Sequence, residues 1–507
     1  MNKIQILIVD YGSQYTLVIG RTLRELGVRS VILPPDKAED WIKNNLPKAV
    51  ILSGSNWSVH NEGAPELPKS LNVTGVKYPI LGICYGMQLL AHKLNGLVER
   101  PLAHREYGPA NAILNTNHPF FYGVSKKTQV WASHGDTVAK LPKGFISIAT
   151  SGGIAAMSSK NNRVLGIQFH PEVVNTKEGK KILQNFLNIS NCQKDWNPIN
   201  LIHEIQKEVT GLVGKKNVIL GVSGGVDSTT LAAVLAPIFG KRLICIAIDT
   251  GGLRANELEE LKTNTKSAGV KNLIIINTKK EFIKNIGTTI DGEEKRAKFR
   301  KVYQKIFKEQ IKKYKAGFMV QGTLATDIIE SGKAGKSAMI KTHHNVGLSW
   351  EVEDLHPFRN LFKYEVRELA RALKLPKAIY ERNPFPGPGL FLRIVGTSVS
   401  EENIKLVREA DKTVANILKK YKLTKNISQL IVALLGINSV GVKGDERVYG
   451  HSLAIRAVQT ADFMTAKGYY FPQEVVNEIT NALTKHKNIV RVFFDMTPKP
   501  PATTEFE

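Results

Sequence analysis

The segment YPILGICYGMQLL (78–90) decides the fold of the first part of the chain. Its apolar run ends in a cysteine, Cys84, that is flanked by Gly82 and Gly86, and a helical pattern follows at once. The two glycines permit a sharp strand-to-helix turn that lifts the Cys84 side chain above a sheet. The dipole of the following helix favours the thiolate form of such a thiol. The segment therefore predicts an α/β sheet that presents Cys84 as a nucleophile.

A second segment, VLGIQFHPE (164–172), offers the base that a cysteine nucleophile needs. His170 ends the apolar run, and Glu172 follows two residues later. Catalytic groups are assembled in space, so the separation from Cys84 along the chain is no obstacle. We expect His170 to take the thiol proton and Glu172 to orient the imidazole. The alternative is that Cys84 is a small buried apolar residue, as free cysteines usually are, but the two segments together favour catalysis.

A third segment, VILGVSGGVDSTT (218–230), predicts a strand, a glycine-rich loop and the start of a helix. Such a loop exposes backbone N–H groups to a phosphate, although a plain Gly-Gly turn is the simpler alternative. Because the Asp227 carboxylate would repel a phosphate, a bridging Mg²⁺ is implied. Gly335-Lys336-Ser337 is not a Walker A motif, since Glu330 stands where that motif needs glycine. The candidate loop residues are Ser223, Gly224, Gly225, Val226, Asp227, Ser228 and Thr229.

Short apolar runs alternate with longer amphipathic stretches through most of the chain, which predicts mainly parallel sheets covered by helices. The expected fold class is α/β, with two doubly wound parallel-sheet domains followed by a smaller α+β domain. A polar stretch at 190–200 is typical of a linker, and the Pro/Gly cluster NPFPGPG (383–389) indicates a second boundary. The predicted domains are 1–195, 196–383 and 384–507.

Composition narrows the class of protein further. The 507 residues are 42% hydrophobic and 23% charged, which is ordinary for a globular protein and excludes a largely disordered or fibrous one. Three scattered cysteines exclude a disulfide framework, and neither a signal peptide nor an apolar run long enough for a membrane span is evident. We therefore expect a cytoplasmic protein without membrane contact. The net charge of +25 indicates anionic substrates or a polyanionic partner.

Five segments in order resemble the class I glutamine amidotransferase family: ILSG (51–54), GICYGMQLL (82–90), REYG (105–108), ASHGD (132–136) and GIQFHPE (166–172). The resemblance implies that Cys84 forms a glutamyl thioester and releases ammonia. It also implies an oxyanion hole from the backbone N–H groups of Gly54 and Tyr85. Implied contacts to glutamine are Gln88, Ser133, His134 and Asp136. One departure is that Ser55-Asn56 replaces the usual Gly-Pro, so that a side chain at 55 is expected to restrict the oxyanion loop.

The glycine-rich loop resembles that of the ATP pyrophosphatase family, which cleaves ATP between its α and β phosphates and adenylates a substrate oxygen. Four further segments resemble the glutamine-hydrolysing GMP synthetases: DTGGLR (249–254), IKTHHNVG (340–347), NPFPGPGL (383–390) and KPPATTEFE (499–507). This resemblance implies xanthosine 5′-monophosphate (XMP) as the acceptor, aminated at C2. It further implies L-glutamine and ATP with Mg²⁺ as the other reactants, and a homodimer formed through the third domain.

The same resemblance implies roles for further residues. The adenylation site and its lid would contain Asp249, Asp327, Glu330, Lys341, His343 and His344. Contacts to XMP are expected from Arg296, Gln429, Arg491, Lys499, Thr504 and Glu505, with Asp227 as the ligand of Mg²⁺. Two stretches depart from the usual family motif: Ala325-Thr326 before Asp327, and Phe299-Arg300 after Arg296. We expect these departures to affect how the site closes over its substrate.

Two rival functions involve nucleic acid. One is an ATP pyrophosphatase that activates a tRNA base, which the positive charge favours, but the glutaminase segments and the lack of a Cys-x-x-Cys pair oppose it. The other is a non-catalytic nucleic-acid binder, which would have lost the nucleophile, yet Cys84, His170 and Asp227 are present. Much of the excess charge falls on helical faces such as 295–315, where a solvated surface explains it. No nucleic-acid partner is therefore expected.

Overall fold

The computed structural model of the chain describes residues 4–75, 77–100, 106–325, 327, 350–382, 385–460, 466–499 and 501–507. One compact unit contains the described residues up to Leu201, and a second contains those from Ile202 onward. The predicted second and third domains thus fall within one compact unit. The predicted boundary near residue 384 stays a prediction.

The first unit is built on short strands connected by helices and turns. Its strands are β1 (Ile6–Val9), β2 (Ser30–Leu33), β3 (Ala49–Leu52), β4 (Ile80–Ile83), β5 (Leu97–Glu99), β6 (Glu106–Leu114), β7 (Lys127–His134), β8 (Thr137–Lys140), β9 (Phe145–Thr150), β10 (Ile154–Ser159) and β11 (Val164–Ile167). Its helices are α1 (Thr16–Glu25), α2 (Pro35–Asn44), α3 (Tyr85–Lys93) and α4 (Gly179–Ile189), with a 3-10 turn at Pro119–Phe121.

The main sheet of this unit has the strand order β2-β1-β3-β4-β11-β10-β9-β6-β7 among the described residues. The strands from β2 to β11 run parallel, and those from β11 to β7 pair antiparallel. Strands β1, β3, β4 and β11 are uninterrupted apolar runs, buried throughout, as expected where both faces of a parallel sheet are covered. Buried and partly exposed residues alternate along β7, because an antiparallel strand can leave one face in water.

The second unit contains the remaining elements. Its strands are β12 (Asn217–Gly221), β13 (Leu243–Asp249), β14 (Leu273–Asn277), β15 (Ala316–Val320), β16 (Glu353–Leu355), β17 (Ile394–Val395), β18 (Gln429–Lys443), β19 (Glu446–Gln459), β20 (Lys467–Gly468) and β21 (Ile489–Asp495). The helices from α5 onward are α5 (Pro198–Val213), which begins just before the boundary, α6 (Val226–Phe239), α7 (Glu257–Ser267), α8 (Lys279–Ile286), α9 (Gly292–Lys313), α10 (Lys363–Ala372), α11 (Lys377–Tyr380), α12 (Glu401–Lys420) and α13 (Gln473–Thr484). Single 3-10 turns lie at Gly240–Arg242, Gly389–Arg393 and Leu423–Asn426.

Two sheets organise the second unit. The order β14-β13-β12-β15-β16 is parallel throughout, with α6 starting directly after the glycine-rich loop. The other sheet centres on the long β18–β19 hairpin, with β21 parallel to β19 and β17 parallel to β18. The predicted α/β class, with a smaller α+β part at the end of the chain, is confirmed. The antiparallel half of the first sheet was not predicted, because the sequence indicated a mainly parallel sheet.

An aromatic core explains why the predicted second and third domains form one unit. Phe282 of α8 and Phe299 of α9 lie in the same buried cluster as Phe391, in the 3-10 turn, and Val407 of α12. The centroids of the Phe282 and Phe299 rings are 4.8 Å apart. Burial of such large apolar side chains is the main stabilising term in folding. Among the described helices, none is long and apolar enough to cross a membrane.

Candidate active sites

Cys84 lies between β4 and α3 in a strained backbone conformation. Its φ of 52° and ψ of −107° are rarely adopted by a residue with a side chain. Such strain persists only where the surroundings enforce it, and it concentrates at functional sites. Here the backbone N–H of Cys84 donates to Ile167 at 2.8 Å, and the N–H of Gly86 donates to Ser53 at 3.1 Å. The strand-to-helix turn therefore has the geometry of a nucleophile elbow.

The two flanking glycines are required by close packing. A Cβ at Gly86 would lie 2.4 Å from the carbonyl oxygen of Leu52, and one at Gly82 would lie 2.5 Å from the backbone of Gly86. Both distances are far below van der Waals contact. Any other residue at either position would push α3 away from the sheet and displace Cys84.

His170 and Glu172 form a buried pair beside Cys84. The Nδ1 atom of His170 lies 2.7 Å from Oε1 of Glu172, and the two side chains are 3% and 0% exposed. Strand β11 carries this pair to the elbow because it lies next to β4 in the sheet, with Ile167 in register with Ile83. The bond at Nδ1 leaves the Nε2 atom of His170 for the thiol.

The electrostatics favour a protonated imidazole. Burial lowers the pKa of His170, but the Glu172 carboxylate and the neighbouring Cys84 sulfur outweigh it and raise the pKa well above its usual value. A base with a raised pKa accepts the thiol proton readily and keeps it. The arrangement can therefore generate a thiolate paired with an imidazolium.

Gln88 of α3 and residues at the end of β7 lie next to the elbow. Gln88 donates through Nε2 to the carbonyl oxygen of Asp136 at 2.8 Å, and His134 bonds to the same oxygen at 3.1 Å. The Sγ atom of Cys84 lies 3.7 Å from the carbonyl oxygen of Ser133. Burial lowers the pKa of His134, which keeps this imidazole neutral. The four residues expected to hold glutamine thus lie together beside Cys84.

Gly54 lies next to His170, and Ser55 follows it in the chain. A Cβ at Gly54 would lie 3.3 Å from Cε1 of His170, so this backbone runs directly past the imidazole. The hydroxyl of Ser55 donates to the carbonyl oxygen of Tyr11 at 2.8 Å and accepts from the N–H of Trp57 at 3.2 Å. The side chain that replaces the usual glycine therefore braces the turn.

Sequence reasoning missed two neighbours of the catalytic pair. The Nε2 atom of Gln168 lies 3.8 Å from Sγ of Cys84. The ring of Tyr15 packs edge-on against His170, with 4.8 Å between centroids. Gln168 could have been found from its place two residues before His170, directly after β11. No comparable signal pointed to Tyr15.

The glycine-rich loop of the second unit joins β12 to α6 as predicted. Gly224 has a φ of +73°, and Gly225 is the N-cap residue of α6. The hydroxyl groups of Ser223 and Ser228 lie 3.3 Å apart across the loop. The N-terminus of a helix presents unpaired N–H groups and a positive dipole end, so the loop suits a phosphate. Val226 and Thr229 lie buried in the first turn of α6.

Two carboxylates lie close together beside this loop. Oδ2 of Asp227 accepts from Nζ of Lys363 at 2.5 Å, while its buried Oδ1 has no hydrogen-bond partner among the described residues. Burial raises the pKa of Asp327 to about 7; a bond from the Leu324 N–H lowers it, the negative charge of Asp227 raises it and Lys363 lowers it. Mg²⁺ is usually held by one or two carboxylates together with substrate phosphates. The pair therefore fits that ion, although the described residues contain no cluster of three or more potential metal ligands.

Asp249 ends β13, the strand next to β12. Its Oδ2 atom lies 3.1 Å from Nζ of Lys279, and its Oδ1 accepts from the N–H of Gly251 at 3.2 Å. Because the carboxyl ends of parallel strands meet at one edge of a sheet, Asp249 and the glycine-rich loop lie at the same edge.

Arg382 and a Thr–His–Asp chain are further residues that the sequence did not indicate. Arg382 donates to the carbonyl oxygen of Gly224 at 3.0 Å and pairs with Glu257. At the end of β15, Oγ1 of Thr323 lies 2.9 Å from Nδ1 of His356, whose Nε2 lies 3.1 Å from Oδ2 of Asp354. The contacts of Arg382 with Gly224 and Glu257, and of Thr323 with His356, join residues far apart in the chain, so no local pattern could have revealed them.

The residues expected to contact XMP lie on several different elements of the second unit. Gln429 donates to Oε1 of Glu505 at 2.6 Å, and Arg296 contacts the backbone of Glu507. The carbonyl oxygen of Thr504 accepts from Nε of Arg456 at 3.1 Å, which holds the C-terminal tail against β19. Arg491 is exposed on β21, and Lys499 pairs through its backbone with Ala466. The structure thus brings Gln429 and Glu505 into direct contact.

Some predicted site residues lie outside the described part of the chain. They are Glu330, Lys341, His343 and His344, and Thr326 of the departure before Asp327 lies outside it as well.

Comparison with known proteins gives matches along the whole chain. Family models match in three places: "Glutamine amidotransferase class-I" over residues 7–189, "Arginosuccinate synthase N-terminal HUP domain" over residues 217–304 and "GMP synthase C terminal domain" over residues 416–506. Three curated relatives carry the name "GMP synthase [glutamine-hydrolyzing]". The relative from Brachyspira hyodysenteriae is 42% identical and covers 99% of both chains. A relative from Thermus thermophilus is 43% identical over 99% of this chain and 100% of its own. The relative from Treponema denticola is 41% identical over 99% and 97%.

Proposed function

The chain belongs to the family of glutamine-hydrolysing GMP synthases, and we propose that its two sites divide the work of that reaction. The protein is a carbon–nitrogen ligase that takes its nitrogen from glutamine and forms GMP with the use of ATP. The Cys84 site releases ammonia from glutamine. The site at the glycine-rich loop activates XMP by transferring AMP to its C2 oxygen, and pyrophosphate leaves. Ammonia then attacks C2, and AMP departs.

In the first site, His170 removes the proton from Cys84, and the thiolate attacks the side-chain carbonyl carbon of glutamine. The imidazolium returns the proton to the leaving nitrogen, so that ammonia departs and a glutamyl thioester remains. Water then hydrolyses this thioester to glutamate. Glu172 holds the imidazole by its Nδ1 throughout, at the 2.7 Å observed.

The tetrahedral intermediate needs donors for its oxyanion, which the backbone N–H groups of Gly54 and Tyr85 supply. Support comes from the path of Gly54 past His170 and from the position of Tyr85 as the first residue of α3. We assign the binding of glutamine to four buried or partly buried residues beside the elbow, Gln88, Ser133, His134 and Asp136. The Asp136 carboxylate has one buried oxygen without a hydrogen-bond partner in the described ranges, which suits the ammonium group of the substrate.

In the second site, the loop from Ser223 to Thr229 binds the phosphates of ATP through backbone N–H groups and hydroxyls. Asp227 and Asp327 would hold Mg²⁺, which neutralises phosphate charge when bound. Lys363 and Lys279 supply further positive charge at this edge of the sheet. Asp249 belongs to the same site by position.

For XMP we propose the residues that the family resemblance implies: Arg296, Gln429, Arg491, Lys499, Thr504 and Glu505. The contact between Gln429 and Glu505 and the docking of the tail near Arg296 support a site completed by the C-terminal residues. Glu330, Lys341, His343 and His344 remain candidates for the adenylation site and its lid.

We further propose a cytoplasmic homodimer without a nucleic-acid partner. Large apolar side chains on the β18–β19 hairpin are exposed in the single chain: Ile437 at 54%, Val442 at 74% and Tyr449 at 66%. A second copy of the chain would cover them. Light scattering of the purified protein should give about twice the mass of one chain, and the variant Val442→Lys should shift it towards the monomer.

The observation that carries the proposal is the strained Cys84 next to the buried His170–Glu172 pair. Cys84→Ala should lower GMP formation from glutamine by about 10³-fold or more, because the nucleophile is lost. Formation from ammonium salts should be unchanged, since the thiol takes no part in adenylation. Cys192→Ala, at a half-buried cysteine outside the site, is the matched control.

AMP release should be measured with XMP and, in a parallel reaction, with bulk tRNA as acceptor. Release that depends on tRNA and not on XMP would support the rival function. Full glutamine-dependent activity in Cys84→Ala would remove Cys84 from the mechanism.

A further inference from the structure

Gln168 is a buried residue of the first site to which the mechanism above gives no role. Its side chain is 3% exposed, and its Nε2 lies 3.8 Å from Sγ of Cys84. Its backbone N–H is already bonded to the carbonyl oxygen of Ala155 at 2.8 Å. The contact with sulfur is therefore an additional interaction, made by the side chain alone.

The other end of this amide is unsatisfied. Oε1 of Gln168 is buried and has no hydrogen-bond partner in the part of the chain that the structure describes. Burying a carbonyl oxygen without a partner is unfavourable, so an amide that only stabilised the core would be expected to use both ends. Gln168 is instead oriented so that its Nε2 can donate to Sγ of Cys84.

Besides His170, the sulfur of Cys84 has two polar neighbours with opposite preferences. The carbonyl oxygen of Ser133, at 3.7 Å, can only accept a hydrogen bond and so favours the protonated thiol. The amide N–H of Gln168 donates, and a thiolate is a better acceptor than a thiol. Loss of the thiol proton thus exchanges one favourable contact for another.

We propose that Gln168 is a positioning residue that stabilises the thiolate of Cys84 and holds it ready for attack. When His170 takes the proton, the S–H bond breaks and the contact with Ser133 is lost. The sulfur then accepts from Nε2 of Gln168. The inference rests on the proposed role of Cys84 as nucleophile.

Other ionisable groups also act on this thiol. His170 faces the sulfur directly, Glu172 acts through His170, and His134 lies near enough to influence His170. The test must therefore change Gln168 alone and leave these three groups in place.

The variant Gln168→Met keeps the volume of the side chain and removes its donor, whereas Gln168→Glu places a negative charge beside the sulfur. Alkylation of Cys84 by iodoacetamide, followed by mass spectrometry of the peptide that contains it, gives the thiolate fraction at each pH. The midpoint should rise by about one pH unit in Gln168→Met, a tenfold loss of thiolate at fixed pH, and further in Gln168→Glu. The kcat with glutamine should fall about tenfold in Gln168→Met, with a smaller change in KM, and activity with ammonium should be unchanged. Gln193→Met, at an exposed site, should behave as the unmodified protein.

An unchanged alkylation midpoint together with an unchanged kcat in Gln168→Met overturns the inference. If thermal unfolding shows that this variant does not fold, Gln168→Asn is tested in its place. Asparagine keeps the amide, but its shorter side chain moves the N–H donor away from the sulfur. A raised midpoint in Gln168→Asn then supports the inference, and an unchanged one overturns it. The variant Cys84→Ala, measured in parallel, separates the role of Gln168 from the role of Cys84 as nucleophile. Loss of glutamine-dependent activity there, with a normal Gln168→Met, overturns only the role of Gln168, whereas retained activity removes the nucleophile assignment as well.

Discussion

The site around Cys84 and the site at the glycine-rich loop differ in how far protein groups neutralise each other's charge. In the first, the chain supplies both members of the ion pair, and Glu172 and His170 are almost fully withdrawn from water. In the second, Asp227 is 24% exposed at its side chain and lies near Asp327, so two carboxylates repel each other and one lysine compensates only in part. The first site is therefore preorganised by protein groups, whereas the second is arranged for charges that its substrates bring.

The largest effect is expected from Asp227→Asn. It should lower GMP formation by about 10³-fold with glutamine and with ammonium alike, because the loss of a carboxylate beside Asp327 weakens the hold on Mg²⁺ and ATP. Hydrolysis of glutamine should persist. Measurement of both nitrogen sources, with the exposed Asp40→Asn as control, checks the prediction. A defect confined to glutamine would contradict the separation of the two sites.

A second test changes Glu172 to Gln. Glutamine-dependent activity should fall by about 10²-fold or more, because the amide no longer holds the imidazole in its charged form. The sign of the pKa change is fixed: the carboxylate raises the pKa of His170, so its removal should make His170 titrate at lower pH. An NMR titration of the imidazole checks this, and Glu62→Gln, at an exposed residue, is the control. Equal titration in Glu172→Gln and the unmodified protein would show that Glu172 does not set the state of His170.

A third test addresses the support of the loop. Arg382→Met removes the donor to the Gly224 carbonyl, and we expect the KM for ATP to rise about tenfold in the ammonium reaction. Hydrolysis of glutamine should not change, since Arg382 lies in the second unit. Lys377→Met, on the exposed side of α11, is the matched control. Unaltered KM and kcat would mean that the loop keeps its shape without Arg382.

The smallest effect is expected from Ser55→Gly. Two hydrogen bonds are lost, each worth about 1 kcal/mol, so the melting temperature of the first unit should fall by roughly 4–8 °C. Activity with glutamine should change by less than about twofold, because Ser55 braces the turn from outside the catalytic pair. Calorimetry and steady-state rates check the two parts. A large loss of glutaminase activity without a shift in melting would place the Ser55 hydroxyl in the catalytic step.

Much of both sites could be predicted because the decisive patterns are local. The run from Gly82 to Gly86 specifies its own turn, since glycines are needed where strand and helix approach closely. The loop from Ser223 to Thr229 likewise follows from a strand, two glycines and a helix start. Tyr15 and Arg382 could not be predicted because nothing next to them in the chain distinguishes their side chains from ordinary aromatic or basic residues. For Gln168 the local signal was its place two residues before His170.

The reactive groups, namely a thiol, an imidazole, a carboxylate and a phosphate loop, can be identified from local segments that each fold through short-range interactions. Which of these groups lie in contact depends on the packing of whole strands and helices. The pairing of β11 with β4 brings Gln168 and His170 to Cys84, and the packing of α10 against α6 brings Lys363 to Asp227. The physical reason is that sheet order and helix packing are set by burial of apolar surface summed over a whole unit, which no single segment encodes.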